Sequence, residues 1–541
     1  MATLALGGCA NDDTANNSSE GEVPAGTTVF SDAEPGSRTS AKYTGSGLDF
    51  YWTTSDKIWV KDDNGDYKQS TGDDIGARIA AVPGSTGTDK AKFWVGGAFT
   101  GATAKVRYTG KNGAKDKVTI KAIQTQTAAN DAAHIAEDGD FGVATAYKSG
   151  SHYNFTLDHK AAYITFMPYT TQNVVSEAII QKIRVFTGNA SDALAGTFDV
   201  DDHGALSNAT ATSNSVELNL PYLPIPAAPT PATNAVTMVV NPGTYTNLSV
   251  EYTLYDPETL AMGTIVKTYP SVTFDAGANT PAKVDLQVRV YEADGYYEWD
   301  APDHYWKGFE WNNPTESLRK QPTKNNEQNS AYAPQSTEDV SAHTSRDFND
   351  VHGYDDPTGT APAVLPGTAR FQSLPNVNQL IWYVKGGEPY FDRSTMWATM
   401  GHLYVGGMWI KKLKKIGAAQ TPAKTVAQMA AAAPDGIDYT RSTINATAIS
   451  DAFTNITTGK PADTSDYFYL PALGSYGNGG FYAIGLYGSY WSSTPYWAPT
   501  LLKEHAYLLQ SSFAYLRLGV GSRAAGLRLF TVGNEDEYHP L

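Results

Sequence analysis

The chain has 541 residues, a net charge of −16, only 18% charged residues and a single cysteine. That length exceeds one compact core and predicts two to four domains. The acidic balance argues against nucleic acid as a partner, and one cysteine excludes an internal disulfide framework or a cysteine-rich zinc site. Thr, Ser, Asn, Gly and Tyr are abundant, which suits a secreted all-β protein. No stretch approaches the roughly 20 apolar residues of a membrane-crossing helix. The one basic run, Lys411, Lys412, Lys414 and Lys415, reads as a solvated face.

A short apolar run from Met1 ends in Leu6-Gly7-Gly8-Cys9. It resembles the lipobox of bacterial lipoproteins, which implies lipidation of Cys9 and a lipid anchor to the outer membrane during export. No basic region precedes the run, so either the start lies upstream or the match is fortuitous. Residues 10 to 37 are rich in Asn, Ser, Glu, Gly and Pro and read as a flexible leader. Short alternating runs then begin at Arg38–Tyr43 and continue through Leu48–Trp52, Lys57–Val60, Lys105–Tyr108, Val118–Ile123 and Tyr153–Leu157. Turn clusters such as Asp62-Asp63-Asn64-Gly65 separate them, a pattern that predicts a β-sandwich over 38–157. A second set runs from Ala162–Phe166 to Lys283–Val290 without a helical period of useful length, and predicts a second sandwich over 158–292.

Phe155-Thr-Leu157-Asp-His159-Lys-Ala161-Ala162-Tyr-Ile-Thr-Phe166 resembles the segment joining the two domains of fimbrillins, the type V pilins of anaerobic Gram-negative bacteria. The Arg38-Thr39 opening, the Trp52…Asp56-x-Ile58-x-Val60 hairpin, Phe274-x-Ala276-Gly277 and Lys283-Val-Asp-Leu286 fit the same family in the same order. The resemblance implies two tandem Greek-key, transthyretin-like sandwiches. It implies partner pilin subunits joined by donor-strand exchange, and proteolytic maturation after Arg38. His159 reads as a packed core or hinge histidine without chemistry.

Composition shifts after Val290: eight of the eleven tryptophans follow residue 297. Gln321 to Pro357 is polar and loop-like. Within it Arg346–Asp356 carries carboxylates, but not at the spacing of a calcium loop, so it reads as solvated. Val377, Leu380, Ile381 and Val384 fall on one helical face after Pro375 and before Gly386-Gly387. Met396–Ile410 reads as a helix or turn leading into a buried strand, Thr425–Ala433 as a second helix, and Tyr467–Pro471 as a short buried strand. These elements predict an α+β third domain over 297–541.

The stretch from Gly479 to Arg528 alternates aromatics, glycines and serines with little charge, the composition of a binding loop. Leu374-Pro375-Asn376, Trp397…Trp409, Phe468-x-Leu470-Pro471-Ala472, Tyr490-Trp491-Ser492-Ser493-Thr494-Pro495, Ala506-Tyr507-x-Leu509 and Arg523-x-x-Gly526-Leu527-Arg528 resemble a C-type-lectin-like domain. The C-terminal half is similar to the variable proteins of diversity-generating retroelements. That resemblance implies a frame of Trp491, Tyr507, Leu509, Leu516, Leu518, Arg523, Gly526 and Arg528. It implies exchangeable, ligand-contacting positions at Tyr496, Trp497, Leu508, Gln510, Phe513, Tyr515, Arg517, Gly519, Ser522, Ala524 and Ala525. Strand alternation alone puts Leu516 and Leu518 on one face and Tyr515, Arg517 and Gly519 on the other. Tyr, Trp, Phe and Arg grouped on an exposed face is the residue set of binding hot spots.

Glu-Pro-Asn, Gln-Pro-Asp and Trp-Asn-Asp are absent, and Glu388-Pro389-Tyr390 has the wrong third residue, so calcium-mediated sugar binding has no support. Formylglycine-generating enzymes share the lectin-like fold, but they use cysteines that this domain lacks. Ser317…Lys320 has neither a Ser-Asp-Asn nor a Lys-Thr-Gly partner. No catalytic residue, metal or cofactor is expected. The reading is a mainly β surface protein: a fimbrial tip adhesin at the outer membrane whose lectin-like head binds a protein or glycan on host or bacterial cells. The alternative is a lipid-anchored receptor that never enters a fibre.

Overall fold

A computed structural model describes residues 23–32, 40–334, 344–348, 366–441, 452–496 and 505–537. Cys9, Arg38, Trp497 and most of Arg346–Asp356 lie outside the described residues. The protein is mainly β, and the chain divides into two compact units. The first comprises residues up to Thr170, Ile180–Tyr252 and Val266–Asp285. The second comprises Thr171–Ile179, Thr253–Ile265 and the residues from Leu286 onward.

In the first unit the N-terminal pairing runs in a closed circuit, where the alternating pattern alone predicts a sandwich. The strand order is His152–Phe155, Thr27–Asp32, Ala91–Gly96, Tyr67–Asp73, Trp59–Lys61, Thr103–Tyr108 and Gly142–Ser149, and the last pairs back to the first. Phe30, Trp52, Ile58, Val60, Phe93, Val106, Tyr108 and Tyr153 fill its interior. The leader expected over residues 10 to 37 is therefore interrupted by a strand. Thr27–Asp32 (TTVFSD) is polar enough to read as linker, yet it carries Val29 and Phe30, and Phe30 is fully buried. A second layer places Ala162–Tyr169 between Val236–Val240, antiparallel, and Asn279–Asp285, parallel. His159 is buried against Phe50, ring centroids 4.0 Å apart, with its Nδ1 2.8 Å from the Asp140 carboxylate. The Tyr163 hydroxyl donates to the same carboxylate. His159 is thus a packed core residue.

The second unit holds the longest regular helix of the described residues, Val377–Gly386. Its start follows from a capping box: the Asn376 side chain accepts from the Gln379 backbone, and the Gln379 side chain accepts from the Asn376 backbone. Val377, Leu380, Ile381 and Val384 are all buried, as the i, i+3, i+4, i+7 spacing requires. Thr425 caps the shorter helix Val426–Ala431 in the same way. The apolar Met396–Ile410 stretch forms no helix. It belongs to a hairpin, Tyr390–Thr399 with His402–Lys411, because Met400 and Gly401 both adopt positive φ (50° and 76°) in a two-residue turn. Tyr467–Pro471 joins this hairpin antiparallel and is buried throughout. Lys411 and Lys415 of the basic run each meet a carboxylate at 2.6 Å, Glu388 and Asp466 respectively.

A second sheet of this unit orders Tyr296–Tyr297, Leu527–Arg528, Tyr487–Pro495, Leu473–Gly477 and Gly480–Ile484. The strands His505–Ser512 and Tyr515–Ser522 extend from Tyr487–Pro495 as an antiparallel meander.

Candidate functional site

The meander is where the sequence-predicted binding positions meet. Tyr490 opposes Leu509 and Leu509 opposes Leu518, so these three share one face with Leu516. That face packs with Tyr507, Phe530 and the Val377–Gly386 helix into one apolar cluster, and Leu516 is fully buried within it. The remaining frame residues are also buried. The Trp491 indole donates to the Tyr297 carbonyl at 2.9 Å. The Arg523 guanidinium lies 4.0 Å from the Trp299 ring, and Arg528 donates to the Glu292 carbonyl at 2.6 Å. A side chain at Gly526 would sit 2.6 Å from the Tyr305 ring, so only glycine fits.

The opposite face has two halves. At the apex, the two-residue turn Phe513-Ala514 is exposed, and Phe513 keeps 54% of its surface in solvent. Beside it Arg517 opposes Gln510 across the strand pair, and its Nε donates to Gln510 Oε1 at 2.8 Å. The same guanidinium lies 4.4 Å from the Tyr515 ring, whose centroid is 6.3 Å from that of Tyr487. Burial raises the Tyr515 phenol above its ordinary value against the opposing pull of Arg517, so it is a neutral donor at neutral pH.

Toward the other end the face is covered. Leu508 opposes both Trp491 and Gly519. It is buried with Trp299, Phe371, Trp491 and Leu527, which departs from the expectation of an exchangeable contact position there. Alternation places Leu508 on the binding side, but there it packs beside Trp491 in one cluster with Trp299 and Phe371 and is buried. A side chain at Gly519 would meet Leu508 at 3.3 Å. Ser522 is exposed, and Ala524 and Ala525 are half-buried in the following turn, with Ala525 packed against the Leu508 cluster. Tyr496 is half-buried, its ring edge-on to Tyr507 at 5.3 Å.

Two residues join the apex that the sequence did not single out. Tyr487 lies within the aromatic stretch but reads there as one tyrosine among several. Arg393, 120 positions upstream of Phe513, places its guanidinium 4.6 Å from the Phe513 ring. The Arg393 strand and the Phe513 hairpin lie in different sheets, so tertiary packing rather than local pattern brings them together. Arg393 follows Asp392, whose buried carboxylate accepts from the Ser394 and Thr395 backbones at 2.8 and 3.1 Å and fixes the irregular bend of that strand. Burial pushes the Asp392 carboxyl up, but hydrogen bonds from Thr395 and Ser394 outweigh it and hold it below its ordinary value.

A second feature is the Thr27–Asp32 strand. It pairs antiparallel with Ala91–Gly96 and parallel with His152–Phe155, and so closes the circuit of the first unit. Phe30 stacks on Tyr153 at 4.9 Å and meets Phe99 edge-on at 5.1 Å. Asp32 accepts from the Trp52 indole at 2.7 Å. Among the described residues no group of three or more His, Cys, Asp or Glu is placed to hold a metal ion.

No family model matches the chain, and no curated protein matches it. Several solved structures are weakly similar. A candidate cell adhesion protein from Bacteroides ovatus ATCC 8483 is 13% identical with a TM-score of 0.31, over 48% of this chain and 93% of its own. A candidate cell adhesion protein from Bacteroides fragilis NCTC 9343 is 12% identical with a TM-score of 0.28, over 48% and 94%. A fimbrial protein from Bacteroides ovatus ATCC 8483 is 12% identical with a TM-score of 0.21, over 93% and 98%.

Proposed function

We propose that the protein is a pilus-associated surface adhesin whose second unit binds its target through the apex of the C-terminal meander. The observation that carries this reading is the split of one hairpin into two chemistries. Leu509, Leu516 and Leu518 are locked in the core while Gln510, Phe513, Tyr515 and Arg517 stand outside it. A rigid frame with an aromatic and cationic face tolerates exchange of the face without loss of the fold, which is what a diversifiable lectin-like head requires.

Assembly into a fibre is the second part of the proposal. The Thr27–Asp32 strand is held by main-chain hydrogen bonds to both neighbours and by Phe30, and it is followed by the segment containing Arg38. Cleavage after Arg38 would disconnect the strand from the rest of its unit. Its withdrawal would leave two open strand edges and an aromatic-lined slot that a strand of another subunit can fill. The strand Leu527–Arg528 is paired inside the second unit. In this scheme the chain accepts a strand of another subunit, and it occupies the fibre tip after export as a lipoprotein anchored through Cys9.

The test is immunogold electron microscopy of fibres from cells producing the wild-type chain and the Arg38→Ala variant. Label at fibre ends for wild type, and its loss for Arg38→Ala, supports the scheme. Label along the shaft, or label unchanged by Arg38→Ala, refutes the assembly part. Intact lipidated chain spread over the membrane with no fibre label favours the anchored receptor.

A further inference from the structure

We infer that the partner of the meander apex is an acidic protein surface, recognised by two arginines each laid over an aromatic ring. The inference rests on the proposed use of this face for binding and adds the class of its partner. Arg393 stacks over Phe513 at 4.6 Å and Arg517 over Tyr515 at 4.4 Å. Phe513 lies in the two-residue turn and Tyr515 directly follows it, so both guanidinium groups belong to one apex. Both arginines are exposed. Among the described residues, neither forms an ion pair with a carboxylate, whereas Lys411 and Lys415 of the same unit do.

This local charge runs against the chain as a whole. The protein carries a net charge of −16, yet from Gly479 to Arg528 the single carboxylate is Glu504, against Lys503, Arg517, Arg523 and Arg528. An acidic protein that keeps two unneutralised guanidiniums on an exposed aromatic turn offers acidic surfaces a point of attraction there. Complementary charge of this kind sets orientation and excludes wrong partners more than it adds raw affinity.

Arg517 is also pre-shaped. Gln510 Oε1 takes the Nε–H of Arg517, and the Tyr515 ring supports the guanidinium from below. Nη2 also donates to Gln510 Oε1, so the guanidinium is held by two bonds and a ring while its remaining N–H donors can meet a carboxylate. Little side-chain entropy remains to be lost on contact.

A protein is favoured over an anionic glycan by shape. The apex is the outward turn of a hairpin, with Phe513 and Ala514 exposed at its crest, rather than a floor onto which a sugar ring lies. A protruding aromatic crest needs a recess to enter, with carboxylates at the rim to meet Arg393 and Arg517.

The full chain, titrated by biolayer interferometry against an immobilised random copolymer of glutamate and tyrosine, tests this. Controls are a lysine–tyrosine copolymer and alginate, a polyuronate. The expected result is binding to the glutamate–tyrosine polymer that weakens by about tenfold or more between about 50 and about 300 mM salt. Arg393→Gln/Arg517→Gln loses about tenfold or more, and Lys414→Gln, an exposed lysine of the same unit, changes it by less than about twofold. Absence of binding, equal binding by the double variant, or alginate bound as tightly as the polypeptide overturns the inference. Adhesion of protein-coated beads to an epithelial monolayer separates this failure from failure of the underlying reading. Loss in Phe513→Ala/Tyr515→Ala with retention in Arg393→Gln/Arg517→Gln overturns the acidic partner alone. Retention in both overturns the binding face itself.

Discussion

Leu516 and Arg517 are neighbours in sequence and opposites in consequence. Leu516 is fully buried between Leu509, Leu518, Tyr490 and the Val377–Gly386 helix. Leu516→Ala removes about three methylene equivalents, about 2.4 kcal/mol of transfer free energy at about 0.8 kcal/mol each. The packed neighbours close only part of the cavity, so the total falls at about 3–4 kcal/mol. For a unit of this size each kcal/mol shifts the midpoint by about 2–4 °C, which predicts a loss of about 6–16 °C in the unit's unfolding transition. Arg517→Ala removes an exposed side chain with one cation–π contact and its hydrogen bonds to Gln510, worth about 1 kcal/mol or less. Differential scanning calorimetry of the full chain, with near-ultraviolet dichroism to follow the Trp-rich second unit, reads both. Equal shifts, or a larger one for Arg517→Ala, would refute the division into frame and face.

Phe30→Ala should cost the first unit about 3–5 kcal/mol, since Phe30 is fully buried against Tyr153 and Phe99; after cleavage at Arg38 it should speed exchange of the strand for a supplied peptide, read by fluorescence anisotropy. Gly526→Ala places a methyl 2.6 Å from the Tyr305 ring and should lower the midpoint of the second unit in thermal melts. His134 gives a pH signature. Burial pushes its imidazole down from 6.5 to about 4, against a weaker opposite pull from the Thr237 carbonyl at 2.9 Å. The folded value lies below the unfolded one, so the unfolded chain takes up the proton first. The stability that His134 contributes is therefore complete above pH 6.5 and is lost as pH falls through about 4. The loss amounts to about 3 kcal/mol, and His134→Gln should flatten it in urea titrations across that window.

The frame was legible because it follows periodicity. Leu516 and Leu518 are two apart on a strand, and Val377 to Val384 repeat at the helical period, so their burial needs no tertiary information. Leu508 shows where that logic stops. Its parity places it with Gln510 and Arg517, but Trp491 on the adjacent strand packs beside it in a buried cluster, a fact of pairing rather than of local pattern. Arg393 carries no local signal, since its partner Phe513 lies 120 residues away in the hairpin of a different sheet. Thr27–Asp32 was hidden by composition. A six-residue strand needs only one or two apolar side chains when both its edges are hydrogen-bonded, so it looked like the polar leader around it. The Met396–Ile410 stretch was ambiguous because a continuous apolar run fits a buried helix as well as a buried hairpin; the Met400-Gly401 turn decides it.

The most direct test of the account measures adhesion of bacteria displaying the full chain to an epithelial monolayer, comparing wild type with Phe513→Ala/Tyr515→Ala/Arg517→Ala at matched surface level and matched thermal midpoint. The account predicts that the triple variant falls to the background of cells without the protein. Undiminished adhesion by a folded triple variant would contradict it.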